Sequence, residues 1–91
     1  MSAQSQPNYI SVDSVNSELI SRSETALLAD GFEEAILKVD YSKEKPRIVY
    51  HADKCIEILQ TRDGMSDEEA EEFFDFNVTG AYVGPQTPLF V

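Results

Sequence analysis

Hydrophobic and polar positions alternate along residues 34–41, and this spacing is typical of a half-buried β-strand. A polar break at residues 42–46 separates this stretch from a β-rich run at residues 47–50. Two such runs about a turn apart predict an antiparallel hairpin. The predicted inward residues of the first strand are Ala35, Leu37, Val39 and Tyr41.

Two other stretches carry the start and stop signals of helices. Residues 21–31 predict a short helix, with Ser23 as its N-cap and Gly31 as its stop. Residues 53–64 predict a second helix, which begins with Asp53 as its N-cap and ends at a glycine. One face of the second helix carries Cys55, Ile56 and Leu59.

The pattern that follows specifies a third helix. Ser66 and Glu69 have the spacing of a capping box, in which each side chain accepts a hydrogen bond from the backbone of the other residue. Met65 and Ala70 occupy the positions of a hydrophobic staple, and Gly80 is the expected end of the helix. The residues predicted to face inward are Ala70, Phe73, Phe74 and Asn77.

The patterns at the C-terminal end of the chain complete the prediction of the fold class. Glycine and proline at residues 84–85 predict a bend, and residues 88–91 predict a final edge strand that returns to the hairpin. The element order α, β, β, α, α, β predicts an α+β domain with one small antiparallel sheet, formed by the hairpin and the C-terminal strand. Residues 1–21 are expected to be a flexible lead, and residues 22–91 a single small domain.

The charge balance restricts the partners of this domain. Seventeen acidic residues against seven lysines and arginines give a net charge of -10, which disfavours direct binding to nucleic acid and to anionic membranes. The same charge speeds encounters with basic partners. Cys55 is the single cysteine, so an intramolecular disulfide is excluded and a cytoplasmic location is expected. The N-terminus has the pattern of neither a signal peptide nor a membrane span.

Residues 47–90, about half of the chain, contain the runs DKCIEIL, DGMS, EAEEFFDFNV and GAYVG. With these runs, the chain resembles a group of small uncharacterised proteins encoded by tailed bacteriophages and prophages. The resemblance implies a phage-derived protein made in the host cytoplasm. By analogy with other small acidic phage proteins, it also implies an accessory factor that binds and inhibits a host protein, for example in counter-defence.

The acidic run at residues 67–75 allows two interpretations. It is either a display of carboxylates that meets a basic surface, as a phosphate mimic does, or the solvated side of a helix. The partner expected from the first interpretation is a host protein with a basic surface. The residues predicted to bind it are Asp67, Glu68, Glu71, Glu72, Asp75 and Tyr82.

The C-terminal strand carries the alternative hypothesis. A strand at a sheet edge can pair with a second copy of the chain, so a self-assembling homo-oligomer is the other function considered. The same strand can instead be covered and simply close the core.

Three chemical alternatives are weaker. Residues 75–80 begin like a calcium loop, but Gln86 stands where the loop needs a bidentate glutamate. His51 and Cys55 have a spacing open to metal binding or to Cys-His catalysis, although a small core cysteine and a strand-end histidine are the simpler interpretation. Because phosphate-binding, dinucleotide and catalytic-triad motifs are all lacking, we expect a non-enzymatic protein with no cofactor and no metal.

Overall fold

Regular structure begins inside the stretch that the sequence predicts to be a flexible lead. Helix α1 spans Val12–Ser21, and the Ser11 hydroxyl caps it by accepting a hydrogen bond from the Ser14 amide at 3.0 Å. Val15 and Leu19 bury one face of α1 in the core, so residues 12–21 of the predicted lead form a helix that packs against the domain. The computed structural model describes residues 8–91, so the first seven residues of the predicted lead lie outside the described residues.

The helix predicted at residues 21–31 does not form. Ser23 has a left-handed φ of 57°, which turns the chain away from the α1 axis, and residues 24–29 have no regular structure. Ser23 therefore follows the end of a helix instead of starting one. This loop is held by the core, because the Ala29 amide donates a hydrogen bond to the Tyr50 hydroxyl at 2.7 Å.

Gly31, the predicted stop of that helix, lies in a turn that follows the irregular loop. Its φ of 93° favours glycine, and a Cβ atom there would lie 2.6 Å from Nη1 of Arg62. The same Nη1 donates a hydrogen bond to the Gly31 carbonyl at 2.9 Å. Gly31 thus brings the loop close to the last turn of the helix that carries Arg62.

The predicted hairpin is present, with strand β1 at Ile36–Asp40 and strand β2 at Arg47–Tyr50 in antiparallel pairing. The predicted alternation holds at Ala35 and Val39, which are buried, but it fails between them, because the pairing register shifts between Ile36 and Lys38. A bulge of this kind adds a residue to one strand and changes the face that the following residues occupy. Leu37 is consequently only half-buried. The buried residues of β1 are Ile36 and Val39.

Strand β3, Leu89–Phe90, lies at the edge of the sheet beside β2, and it runs parallel to β2. The prediction of an α+β fold is confirmed, and the prediction of a purely antiparallel sheet is wrong. Parallel neighbours need a long crossover connection, usually a helical one. Two helices and a π-helical turn occupy the connection between β2 and β3, and they return the chain in the direction of β2.

Helix α2 spans Ala52–Asp63 and begins two residues before the predicted start. Its N-cap is His51, whose side chain makes no capping hydrogen bond. Asp53 lies inside the first turn, where a carboxylate interacts favourably with the helix dipole. The predicted stop is confirmed, since Gly64 ends the helix with a left-handed φ of 70°.

Helix α3, Asp67–Phe73, starts with the predicted capping box. The Glu69 amide donates to the Ser66 hydroxyl at 3.2 Å, and the Ser66 amide donates to a Glu69 carboxylate oxygen at 2.9 Å. Ala70 is fully buried, and Met65 packs against the core from the other side of the cap. The start of α3 therefore follows from local sequence alone.

A π-helical turn at Phe74–Thr79 continues α3 and ends at Gly80, the predicted end. A π-helix has a wider turn than an α-helix, so the inward position comes later along the chain. Ala70 and Phe74 are buried as predicted, but the next inward residue is Val78. The prediction that Phe73 and Asn77 face inward is wrong, because both side chains are exposed.

Aromatic rings connect the π-helical turn to the sheet in the core. The rings of Tyr50 and Phe90 are stacked with centroids 5.4 Å apart, and Phe74 meets Phe90 edge-on at 5.3 Å. Such geometries add to the stabilisation that burial of the rings provides. The largest fully buried side chains of the core are Tyr50, Ile36, Ile48, Leu59, Val15 and Cys55.

Candidate protein-binding surface

Four carboxylates of α3 and the π-helical turn point into solvent, and we call them the acidic face. Within residues 8–91, none of the four side chains receives a hydrogen bond or an ion pair from another side chain. Their charge is therefore not neutralised by direct contacts within the described part of the chain. The acidic face consists of Glu68, Glu71, Glu72 and Asp75.

Asp67, the first predicted acid of the run, is used differently. Its carboxylate accepts a hydrogen bond from the side-chain amide of Gln60, which connects the start of α3 to α2. Glu69 is engaged in the capping box. These two acids hold the helix in place, so the carboxylates free of such contacts are those of the acidic face.

Among the described residues, no lysine or arginine forms an ion pair with the acidic face. All seven lysines and arginines precede Asp63 in the sequence. The ion pairs of the described residues lie on other elements and join residues close in the sequence. They are Arg47 with Asp40 at 3.3 Å, Lys54 with Glu57 at 3.3 Å, and Arg62 with Asp63 at 2.9 Å.

Two phenylalanine rings lie exposed beside these carboxylates. The exposed fraction is 39% for Phe73 and 80% for Phe76. Both rings line a groove of about 330 Å³, which we call the aromatic groove. Periodicity missed this feature, because it assigned Phe73 to the inward face. The aromatic groove is lined by Met65, Glu69, Glu72, Phe73, Phe76 and Asn77.

Tyr82, the sixth residue predicted to bind the partner, is 78% exposed, but it lies in a different setting. It lines a groove of about 480 Å³ together with the turn that joins β1 to β2. The structure does not place Tyr82 in the aromatic groove, and the charges around it are mainly positive. The charged residues of the Tyr82 groove are Lys43, Glu44, Lys45 and Arg47.

A third groove, of about 400 Å³, is mostly apolar. It runs between the loop at residues 24–31, the π-helical turn and β3, and Leu27 and Leu28 remain exposed by 42% and 36% along it. Asn77 lines both this groove and the aromatic groove. Apolar surface is thus present on both sides of that residue.

Cys55 and His51 do not form a reactive pair. The Cys55 side chain is completely buried, and this burial raises the pKa of the thiol from 9.0 to about 12. A buried apolar setting keeps the thiol protonated and unreactive, so the interpretation of Cys55 as a core residue is confirmed. Nδ1 of His51 instead lies 2.8 Å from the hydroxyl of Tyr9.

The segment that begins like a calcium loop is helical. The Thr79 hydroxyl donates to the Asp75 carbonyl at 3.2 Å within the π-helical turn, so the segment does not have the form of an ion-binding loop. Across residues 8–91, no group of three or more His, Cys, Asp or Glu side chains is placed to hold a metal ion.

Residues 8–91 form a small α+β domain with a three-stranded mixed sheet. Comparison of the chain with protein families, with curated proteins and with solved structures gives no match. In the described part of the chain, every helix is too short or too polar to cross a membrane.

Proposed function

We propose that this protein is a non-enzymatic phage accessory protein that binds a host protein and modulates or inhibits it in the host cytoplasm. The single observation that carries the proposal is the acidic face, which lies in solvent without neutralising contacts among the described side chains. A surface of this kind is complementary to a basic patch on a partner and steers the two together.

The resemblance of residues 47–90 to small phage proteins supports the host setting. The net charge of -10 supports a basic protein partner and opposes direct contact with nucleic acid. In a counter-defence role, the acidic face would occupy the basic surface of a host factor.

The test is charge reversal with a control of equal net charge. In the test variant, lysine replaces Glu68, Glu71, Glu72 and Asp75. In the control variant, lysine replaces four other exposed acids, namely Glu24, Asp30, Glu34 and Glu44. Each variant gains eight charge units, so a difference between them reports the position of the charges and not their sum.

Each protein is used to capture partners from host lysate, which are then identified by mass spectrometry. We expect the test variant to lose the partners that the wild-type protein and the control variant retain. Equal recovery by all three proteins would contradict the electrostatic mechanism. Circular dichroism and thermal melting check that both variants fold.

A second candidate function is self-assembly through β3, because this strand lies at the edge of the sheet and Val91 beside it is 64% exposed. Its length of two residues offers few backbone groups for pairing with another copy. Light scattering over a range of protein concentrations tests it. A mass that stays monomeric throughout excludes self-assembly as the function.

A further inference from the structure

The aromatic groove combines apolar ring faces with a negatively charged carboxylate. Phe73 and Phe76 provide apolar faces, and Glu72 provides a carboxylate that receives no bond from another described side chain. The other acid of the groove, Glu69, is occupied by the capping box. An exposed aromatic pair beside one available carboxylate is suited to a group that is both planar and positively charged.

We infer that the aromatic groove is the anchor point for an arginine side chain on the basic partner. This inference rests on the proposed function and identifies the chemistry of the contact. The guanidinium group lies against the more exposed ring, that of Phe76, and donates hydrogen bonds to Glu72, while the methylene stem packs against Met65. Arginine is the cation that binding hot spots use most, which agrees with an aromatic pocket inside a charged surface.

The chain twice places an arginine over an aromatic ring within its own fold. The guanidinium carbon of Arg22 lies 3.9 Å from the ring centroid of Tyr41, and the hydroxyl of that tyrosine donates to a Glu18 carboxylate at 2.7 Å. Arg62 lies 5.7 Å from the ring centroid of Phe32 and also pairs with Asp63. In both places an arginine, a ring and a carboxylate are close together. The aromatic groove has the ring and the carboxylate. Charge complementarity favours a cation as the third member, and the planar guanidinium of arginine is the cation that stacks on a ring.

Hexa-arginine and hexa-lysine peptides are the probes, because they carry equal charge and differ in the group that reaches the ring. Isothermal titration calorimetry at low salt measures their affinities for the wild-type protein and for three variants. Phe76→Leu keeps an apolar side chain and removes the aromatic ring. Glu72→Gln removes the carboxylate in the groove, and Glu68→Gln is its matched control on the same helix outside the groove.

We expect the wild-type protein to bind hexa-arginine about two- to five-fold more tightly than hexa-lysine, the size of an exposed cation–π contact. We expect Phe76→Leu to remove this preference and to leave the affinity for hexa-lysine unchanged. Glu72→Gln should weaken the binding of hexa-arginine more than Glu68→Gln does. Phe76 is 80% exposed, so its replacement leaves the core intact.

Equal affinity for the two peptides, or a preference for hexa-arginine that survives Phe76→Leu, would overturn the arginine anchor while the proposed electrostatic function stands. A wild-type protein that binds neither peptide would overturn both proposals. Self-association of the wild-type protein that Phe76→Leu abolishes would assign the groove to a second copy of the chain, and this too would overturn the inference.

Discussion

Phe74 meets Phe90 edge-on, with ring centroids 5.3 Å apart, and this contact fixes the π-helical turn to strand β3. Phe74 is 4% exposed, whereas Phe76, two residues later, is 80% exposed. Neighbouring phenylalanines thus have opposite roles, one in the core and one on the surface. This difference determines the expected results of their replacement.

The first prediction concerns Phe74→Ala. Removal of this buried ring should lower the free energy of unfolding by about 3–5 kcal/mol, because it leaves a cavity against Phe90. Urea denaturation followed by circular dichroism measures the change. Phe76→Ala is the control and should change the free energy of unfolding by less than about 0.5 kcal/mol. Equal losses in the two variants would refute the assignment of inward and outward rings.

The second prediction concerns the hydroxyl of Tyr50, which accepts a hydrogen bond from the Ala29 amide at 2.7 Å. Tyr50→Phe removes the acceptor and leaves this amide unpaired, so the free energy of unfolding should fall by about 1–3 kcal/mol. Amide hydrogen exchange at Ala29 should also become faster. Tyr82→Phe, at a side chain that is 78% exposed, should change neither quantity. Unchanged exchange at Ala29 in Tyr50→Phe would show that the loop is held in another way.

The third prediction concerns the capping box of α3. Ser66→Ala removes the acceptor for the Glu69 amide and should destabilise the protein by about 0.5–2 kcal/mol. Ser66→Gly should cost only a few tenths of a kcal/mol relative to the wild type, since glycine is itself tolerated as an N-cap. Thermal melting of the two variants checks this order. A glycine variant that melts below the alanine variant would contradict the role of the cap.

The fourth prediction concerns alkaline pH. Burial raises the pKa of the Cys55 thiol from 9.0 to about 12, so the folded state keeps its proton where the unfolded state has lost it. By linkage, the free energy of unfolding falls as pH rises through this interval, and below pH 9 the thiol makes no pH-dependent contribution. Burial also raises the pKa of Tyr50, whose contribution has the same sign.

Cys55→Ala separates the two contributions. Urea denaturation at several pH values should show a shallower loss of stability for this variant than for the wild type between pH 9 and about 12. The comparison uses the slope with pH and not the absolute stability, because the smaller side chain leaves a cavity at every pH. Parallel slopes would show that the thiol is not protected by the fold. Fast alkylation of native Cys55 at neutral pH would show the same.

Local sequence was sufficient for the parts of this protein that depend on a few neighbouring residues. The capping box of Ser66 and Glu69, the stop at Gly64 and the turn between β1 and β2 were predicted because their hydrogen bonds and backbone angles involve residues close in the chain. The exposure of the acidic face agrees with the same reasoning, since runs of charge are seldom buried.

Tertiary structure decided the parts that depend on distant contacts. The first helix lies at Val12–Ser21 because its apolar face packs against the core, whereas residues 24–29 are held by the hydrogen bond that the Ala29 amide donates to the Tyr50 hydroxyl of the sheet. The direction of β3 follows from the crossover that α2 and α3 make, and Asn77 is exposed because the π-helical turn brings Val78 inward in its place. Caps and turns are determined by adjacent residues. The direction of a strand and the inward face of a helix are determined by the elements that pack against that strand or helix.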